Sequence, residues 1–148
     1  ENALDFLFEG EGLLRYDKAI RKEIGFIEGG VANAIGFAAL DAAVQLLLEL
    51  GIPAIWRHAN AWNDALEAAL LERGFTSLRS QRAEQRSGIL SVIAPKPKDT
   101  VALCNTLNAA KITCNVPDGK LRFAPHWPND LDEVERVVAE VDRALADA

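Results

Sequence analysis

The chain of 148 residues contains no methionine and only two cysteines, two histidines and one tyrosine. Each shortage removes a class of protein. The two cysteines, Cys104 and Cys114, lack the spacing of a metal site and are too few for the disulfide framework of a small secreted domain. No charged-then-apolar leader opens the chain, so a reducing cytoplasm is the expected compartment. Sixteen basic residues face 22 acidic ones, a formal net charge of -6. With no basic run and no aromatic-interleaved basic stripe, nucleic acid is not an expected partner. Long apolar runs are short of a membrane span as well. The strongest, "AIGFAALDAAVQLLLELGIPAIW", is interrupted by Asp41, Gln45 and Glu49 and closed by Gly51 and Pro53, which predicts a buried helix. A start on Glu1, a residue that normally leaves an initiator methionine in place, adds the expectation that these residues are a piece of something longer.

What is present is an ordinary globular balance, 49% hydrophobic and 26% charged, with enough length to bury a core without metals or disulfides. Residues 1–32 mix apolar clusters and glycines without a sustained period, and read as a short helix, loops and a brief strand near Leu13 and Leu14. From Asn33 to Leu50 the apolar positions recur at helical spacing, from Ile35 to Leu50, and Gly51 stands where a helix ends. A second helix follows across the Gly-Ile-Pro elbow, with Ile55, Ala59, Trp62, Ala65, Leu66, Ala69 and Leu70 on one face, and stops at Gly74. The two predict a bent helical spine.

Beyond Gly74, "FTSLRS" and "ILSVIAP" read as strands separated by the polar "QRAEQRSG". Asp99 is the expected N-cap of a helix carrying Val101, Leu103, Cys104, Leu107 and Ala110. "KITCNV" and "KLRFAPH" then predict a hairpin around the turn "PDG", with Arg122 and Ala124 on one side and Leu121 and Phe123 on the other. Asn129 or Asp130 caps a last helix whose stripe is Leu131, Val134, Val137, Val138, Val141 and Leu145. The predicted class is α+β, with helices packed on one face of a small sheet.

Chemistry concentrates in "KLRFAPHWPND". An arginine on a strand's open face suits a carboxylate, because its planar fork gives two parallel charge-assisted hydrogen bonds. Local sequence favours the plainer alternative, a surface ion pair. His126, just before a helix cap, can orient a substrate or satisfy a loop carbonyl. His58 is expected to be solvated and carries no assigned role. Cys114 and Cys104 read as small apolar core residues, since nothing local lowers either thiol's pKa. The glycines of "FIEGGVANAIG" precede a helix and can present N–H groups to a phosphate, although they form neither a P-loop nor a dinucleotide fingerprint.

Three stretches together resemble the C-terminal portion of the class V aminotransferase family, pyridoxal-phosphate enzymes of fold type I that include cysteine desulfurases, selenocysteine lyases and isopenicillin N epimerase-like proteins. "FIEGGVANAIGFAALDAAVQLLLELG" is similar to the family's "FE-x-GTPN" loop and following helix. "RSGILSV" resembles its Arg-Ser-Gly strand, and "KLRFAPHWPNDLDEVERVV" its "LR-x-SPH-x-YNT" segment and final helix. The resemblance implies the end of a large cofactor-binding domain and an interdomain loop in residues 1–32. Residues 33–148 would be the interdomain helix and C-terminal small domain.

It further implies pyridoxal 5'-phosphate as cofactor, an amino-acid substrate bound by Arg122 with His126 beside it, and a homodimer. Gly29, Gly30, Val31 and Asn33 match the loop that approaches a neighbouring subunit's cofactor phosphate. The family's threonine is Val31 here and its proline Ala32, so a side-chain hydroxyl contact is lost. None of the lysines at 18, 22, 96, 98, 111 and 120 stands in a Schiff-base context, so the segment is expected to be inert without a lysine-bearing N-terminal large domain. Cys114 lacks the Arg-x-Gly-His-x-Cys pattern, which disfavours desulfurase chemistry. The competing expectation is a stand-alone α+β binding or dimerisation module with no cofactor.

Overall fold

A computed structural model describes residues 22, 33–96 and 99–146. Helix α1 (Ala34–Leu50) starts where Asn33 caps it: the Asn33 Oδ1 accepts the Gly36 N–H at 2.9 Å. A side chain at Gly36 would overlap the Asn33 amide, so the glycine is what lets the cap close. The expected burial of this helix is corrected. It has no buried residue, and Ile35, Phe37 and Leu48 stand 86%, 63% and 67% exposed. Apolar side chains ring α1 instead of forming one stripe, and periodicity specifies a helix without specifying what covers it. Among the described residues no single helix is long and apolar enough to cross a membrane.

The described fold divides into two units inside α1, after Leu46, and the second unit runs from Leu47 to Ala148. In it, Gly51 at φ 81° breaks the chain before α2 (Ile52–Glu72), whose Pro53 sits in the first turn where no N–H partner is needed. α2 buries Ala59, Asn60, Trp62, Asn63, Leu66 and Leu70. Ala65, expected on that face, is exposed. Gly74 at φ 81° ends the helix in a Schellman turn, with the Phe75 N–H returning to the Leu70 carbonyl at 3.1 Å.

Strands β1 (Thr76–Ser77), β2 (Leu90–Ile93) and β3 (Leu121–Phe123) form one antiparallel sheet in the order β1-β2-β3. The register pairs Leu90 with Phe123, Ser91 with Arg122 and Val92 with Leu121. The period of two therefore puts Leu90, Val92, Leu121 and Phe123 into the core, all at most 2% exposed, and leaves Ser91 and Arg122 on the opposite, open face. "RSG" lies in the approach to β2, outside the strand.

α3 (Thr100–Ala109) is capped by Asp99, whose carboxylate accepts the Val101 N–H at 2.8 Å. The predicted strand "KITCNV" is corrected to an extended segment with one bridge, Asn115 to Arg122, so the hairpin exists at a single rung. Its turn Pro117–Gly119 is a 3-10 turn with Asp118 and Gly119 in the left-handed region. The short rung follows from how α3 ends, since Lys111 at φ 64° reverses the chain and the N–H groups of Lys111 and Ile112 return to the Asn108 and Leu107 carbonyls. α4 (Glu133–Ala146) starts later than its apolar pattern suggested. Leu131 lies before it and is 44% exposed, while Val134, Val137 and Val141 enter the core with Trp62, Leu66, Leu70, Leu103 and Leu107.

Candidate functional site

Arg122 rises from the open face of β3, half-buried. Its Nε donates to the Asn115 Oδ1 at 2.9 Å, and the two backbones are bonded reciprocally, with the Arg122 N–H 2.8 Å from the Asn115 carbonyl. Asn115 thus fixes the plane of the guanidinium. Among the described residues neither terminal nitrogen has a partner and no ion pair involves Arg122. The surface ion pair that local sequence favours does not form among the described residues. A fork oriented through Nε with both terminal N–H groups unpaired among the described residues can receive a planar anion.

Two cavities open on this fork. One, of about 360 Å³, is lined by Lys111, Cys114, Asn115, Arg122, Glu133 and Arg136 over a floor that includes Trp62 and Phe123. The other, of about 470 Å³ on the open sheet face, includes Arg79, Arg86, Ser91, Asp118, Lys120 and Arg122. Three cations against one carboxylate line the first cavity, in a chain whose net charge is -6. An excess of positive charge on one wall of a negative chain is an arrangement that can attract small anions. In the second cavity Arg79 and Arg86 are already neutralised. The Arg79 Nη1 binds Asp64 at 2.7 Å and Glu67 at 2.6 Å, and the Arg86 Nη1 binds Asp64 at 3.2 Å.

The loop after β3 is fastened from α2. The Trp62 indole N–H donates to the Asp130 carbonyl at 3.0 Å, and the His58 Nε2 lies 2.7 Å from the Asn129 carbonyl. His58 is therefore half-buried and engaged, which corrects its expected solvation: one helical turn from Trp62, it faces the returning loop. The His126 ring is exposed, lies edge-on to Trp127 with centroids 6.5 Å apart, and is in neither cavity lining. Its backbone N–H donates to the Asn129 Oδ1 at 2.9 Å, closing the turn. Asn33 uses its side-chain oxygen as a helix cap, while Gly29, Gly30 and Val31 lie outside the described residues.

Cys104 and Cys114 are buried, as expected of core residues. Burial first, then the neighbouring Cys104, pushes the Cys114 thiol up to about 12, so it stays protonated at neutral pH. The lysines reaching these walls are Lys111, exposed, and Lys120, whose ammonium donates to the Asp118 carbonyl at 2.9 Å. Neither is a buried amine set against an aromatic ring and an aspartate. The described residues do not by themselves fit pyridoxal phosphate.

Asn115, Lys111 and Arg136 were not singled out in the sequence. The signal for Asn115 was available, because a turn centred on Pro117–Gly119 sets residue 115 opposite 122. Lys111 and Arg136 carried none, since only the packing of α3 against α4 brings them to one wall.

The fold is an α+β unit with the Arg122 fork on the open face of its small sheet. The chain belongs to the aminotransferase class-V family, whose model matches residues 15–120. The family's members are pyridoxal-phosphate enzymes. The segment from Leu121 to Asp130 lies beyond that match, so Arg122 rests on geometry and on the resemblance of its own motif. Among solved structures, the fold is similar to the cysteine desulfurase CsdA from Escherichia coli in its S-sulfonic acid form, with a TM-score of 0.72, 22% identity, 91% of this chain covered and 36% of that one. It is also similar to a cysteine desulfurase from Thermococcus onnurineus NA1, with a TM-score of 0.73, 17% identity and coverage of 88% and 36%. A third is the cystine C-S lyase C-DES in complex with cysteine persulfide, with a TM-score of 0.68, 17% identity and coverage of 95% and 36%. The chain thus spans about a third of the length of each. No curated protein matches it by sequence.

Proposed function

We propose that this chain is the small-domain part of a pyridoxal-phosphate enzyme acting on an amino acid, with Arg122 binding the substrate α-carboxylate. The observation that carries this reading is the Arg122 guanidinium, held through Nε by Asn115 between two cavities, with its terminal nitrogens unpaired among the described residues. Charge-assisted bonds from both terminal nitrogens would fix the carboxylate's plane as well as its position. Lys111 and Arg136 add long-range attraction, and Asn115 holds the fork against rotation.

The cofactor would supply the electron sink, and its lysine anchor would come from a lysine-bearing large domain of the same enzyme, working as a homodimer. The chain's own residues bind and orient the substrate and move no proton to or from it. The neighbours are named as desulfurases and a C-S lyase, but a buried Cys114 held protonated would attack sulfur too slowly to serve as the nucleophile of a turnover. An amino-acid reaction without a small-domain thiol nucleophile fits better.

The test is Arg122→Ala and Arg122→Lys in the complete enzyme, with substrate affinity and turnover measured separately. Loss of one charge-assisted fork weakens carboxylate binding by roughly 1.5–3 kcal/mol, on the order of tenfold to a hundredfold. Lysine restores charge but not the second parallel bond and recovers only part. Unchanged substrate affinity in Arg122→Ala would refute the assignment. Absence from the intact protein of a borohydride-sensitive cofactor absorbance would favour a cofactor-free binding module instead.

A further inference from the structure

We propose that Cys104 and Cys114 form a reversible disulfide, a modification site for a small-molecule disulfide oxidant, which locks the turn presenting Asn115 to Arg122. Both residues are buried, at 6% and 8% exposure, with their sulfurs 3.5 Å apart. Each sulfur also approaches the other residue's carbonyl, Cys104 Sγ at 3.4 Å from the Cys114 oxygen and Cys114 Sγ at 3.9 Å from the Cys104 oxygen. The two side chains therefore lie against each other and do not merely share a core. A bond needs the sulfurs to close by about 1.5 Å, to a length of about 2.05 Å.

The backbone is shaped for this approach. Lys111 takes the left-handed conformation at φ 64°, a costly choice for a residue with a side chain, and that reversal returns Cys114 to the side of Cys104. Asn108 ties the pair from both ends of its amide. Its Nδ2 lies 3.2 Å from both the Cys104 Sγ and the Cys114 carbonyl, and its Oδ1 accepts the Cys114 N–H at 3.2 Å. The oxidant has a route, because Cys114 lines the 360 Å³ cavity.

The reaction balances. One thiol, deprotonated by solvent, attacks the small disulfide, forming a mixed disulfide and releasing one small thiolate. The second thiol loses its proton, attacks the protein-bound sulfur and expels the second small thiolate. Two protein S–H bonds and the reagent's S–S bond are lost, and one protein S–S bond and two small thiols are gained. The second step is intramolecular between sulfurs already in contact, so it outruns the first, and mixed disulfide does not accumulate. Asn115 follows Cys114 directly, so the closed ring restricts the residue that orients the Arg122 fork.

The intact native protein is incubated with 2,2'-dithiodipyridine, then denatured, treated with N-ethylmaleimide, and analysed by intact mass and peptide mapping. The expected result is loss of two hydrogens, no maleimide at either cysteine, a Cys104–Cys114 cross-linked peptide, and recovery of both maleimide adducts after dithiothreitol. Cys104→Ser and Cys114→Ser should each retain one pyridyl adduct, since the resolving thiol is gone. Two stable pyridyl adducts on the unsubstituted protein, or two thiols still free after prolonged exposure, would overturn the proposal. The readout is covalent and needs no activity, so it stands or falls separately from the role of Arg122.

Discussion

Replacing Arg79 by alanine should destabilise the second unit by about 3 kcal/mol, and the structure says why the figure is near that value. The Arg79 side chain is 3% exposed and reaches Asp64, Glu67 and Asn60, the last at 2.7 Å. Removing one member of a buried ion pair costs about 3–5 kcal/mol because it strands the other charge. Glu67 is only 14% exposed and would be stranded, apart from its bond from the Ser77 hydroxyl. Asp64 would not, since it is 53% exposed and keeps Arg86. One stranded charge out of two puts the loss at the lower end of the range.

At a urea slope of about 1–3 kcal/mol per molar, the midpoint falls by roughly 1–3 M. The assay is urea unfolding of the intact protein followed by tryptophan fluorescence. Arg79→Ala/Glu67→Leu should be less destabilised than Arg79→Ala alone, because the stranded carboxylate is gone. A shift below about 0.5 kcal/mol in Arg79→Ala, or strict additivity in the double variant, would refute the reasoning.

Lys111→Gly should raise stability by about 0.5–1 kcal/mol, the left-handed cost of a side chain less the added chain entropy of glycine. The same change should weaken binding of a small carboxylate at the Arg122 cavity, so opposite movements of melting temperature and affinity are the check. For pH, the Arg73 side chain bonding Asp142 at 2.5 Å holds that carboxyl below the usual carboxylate range. A depressed native value contributes stability that is fully present above the unfolded value of about 3.9 and is lost as the pH falls through the native value. Urea midpoints of the protein and of Asp142→Asn, measured from neutral pH down, should therefore converge in acid. They should also converge in high salt, because the pair is exposed.

How much of this was legible beforehand differs by element. The end of α2 at Gly74, the Asp99 cap and the alternation across Leu121, Arg122 and Phe123 follow from short-range rules, since a cap, a left-handed glycine and a strand's period are each decided within a few residues. "KITCNV" misled because β-branched composition describes a strand's surroundings but not whether a partner lies in register. The reversal at Lys111 leaves room for one rung only. α1 misled in the opposite way: its helical spacing held, but burial depends on what packs against a helix.

Local sequence suffices for the α+β class, the helix ends at Gly51 and Gly74, the Asp99 cap and the open-faced position of Arg122, because these rest on local backbone preferences and side-chain period. The last helix, in contrast, starts at Glu133, past its expected cap at Asn129 or Asp130. Tertiary packing is what leaves Arg122 without an acidic partner among the described residues, sets Asn115 against its fork, brings Lys111 and Arg136 to its cavity, and turns His58 onto the loop instead of into solvent. Those contacts join residues as far apart as 58 and 129. Whether two such side chains meet is fixed by how helices and sheet pack, which no local spacing encodes.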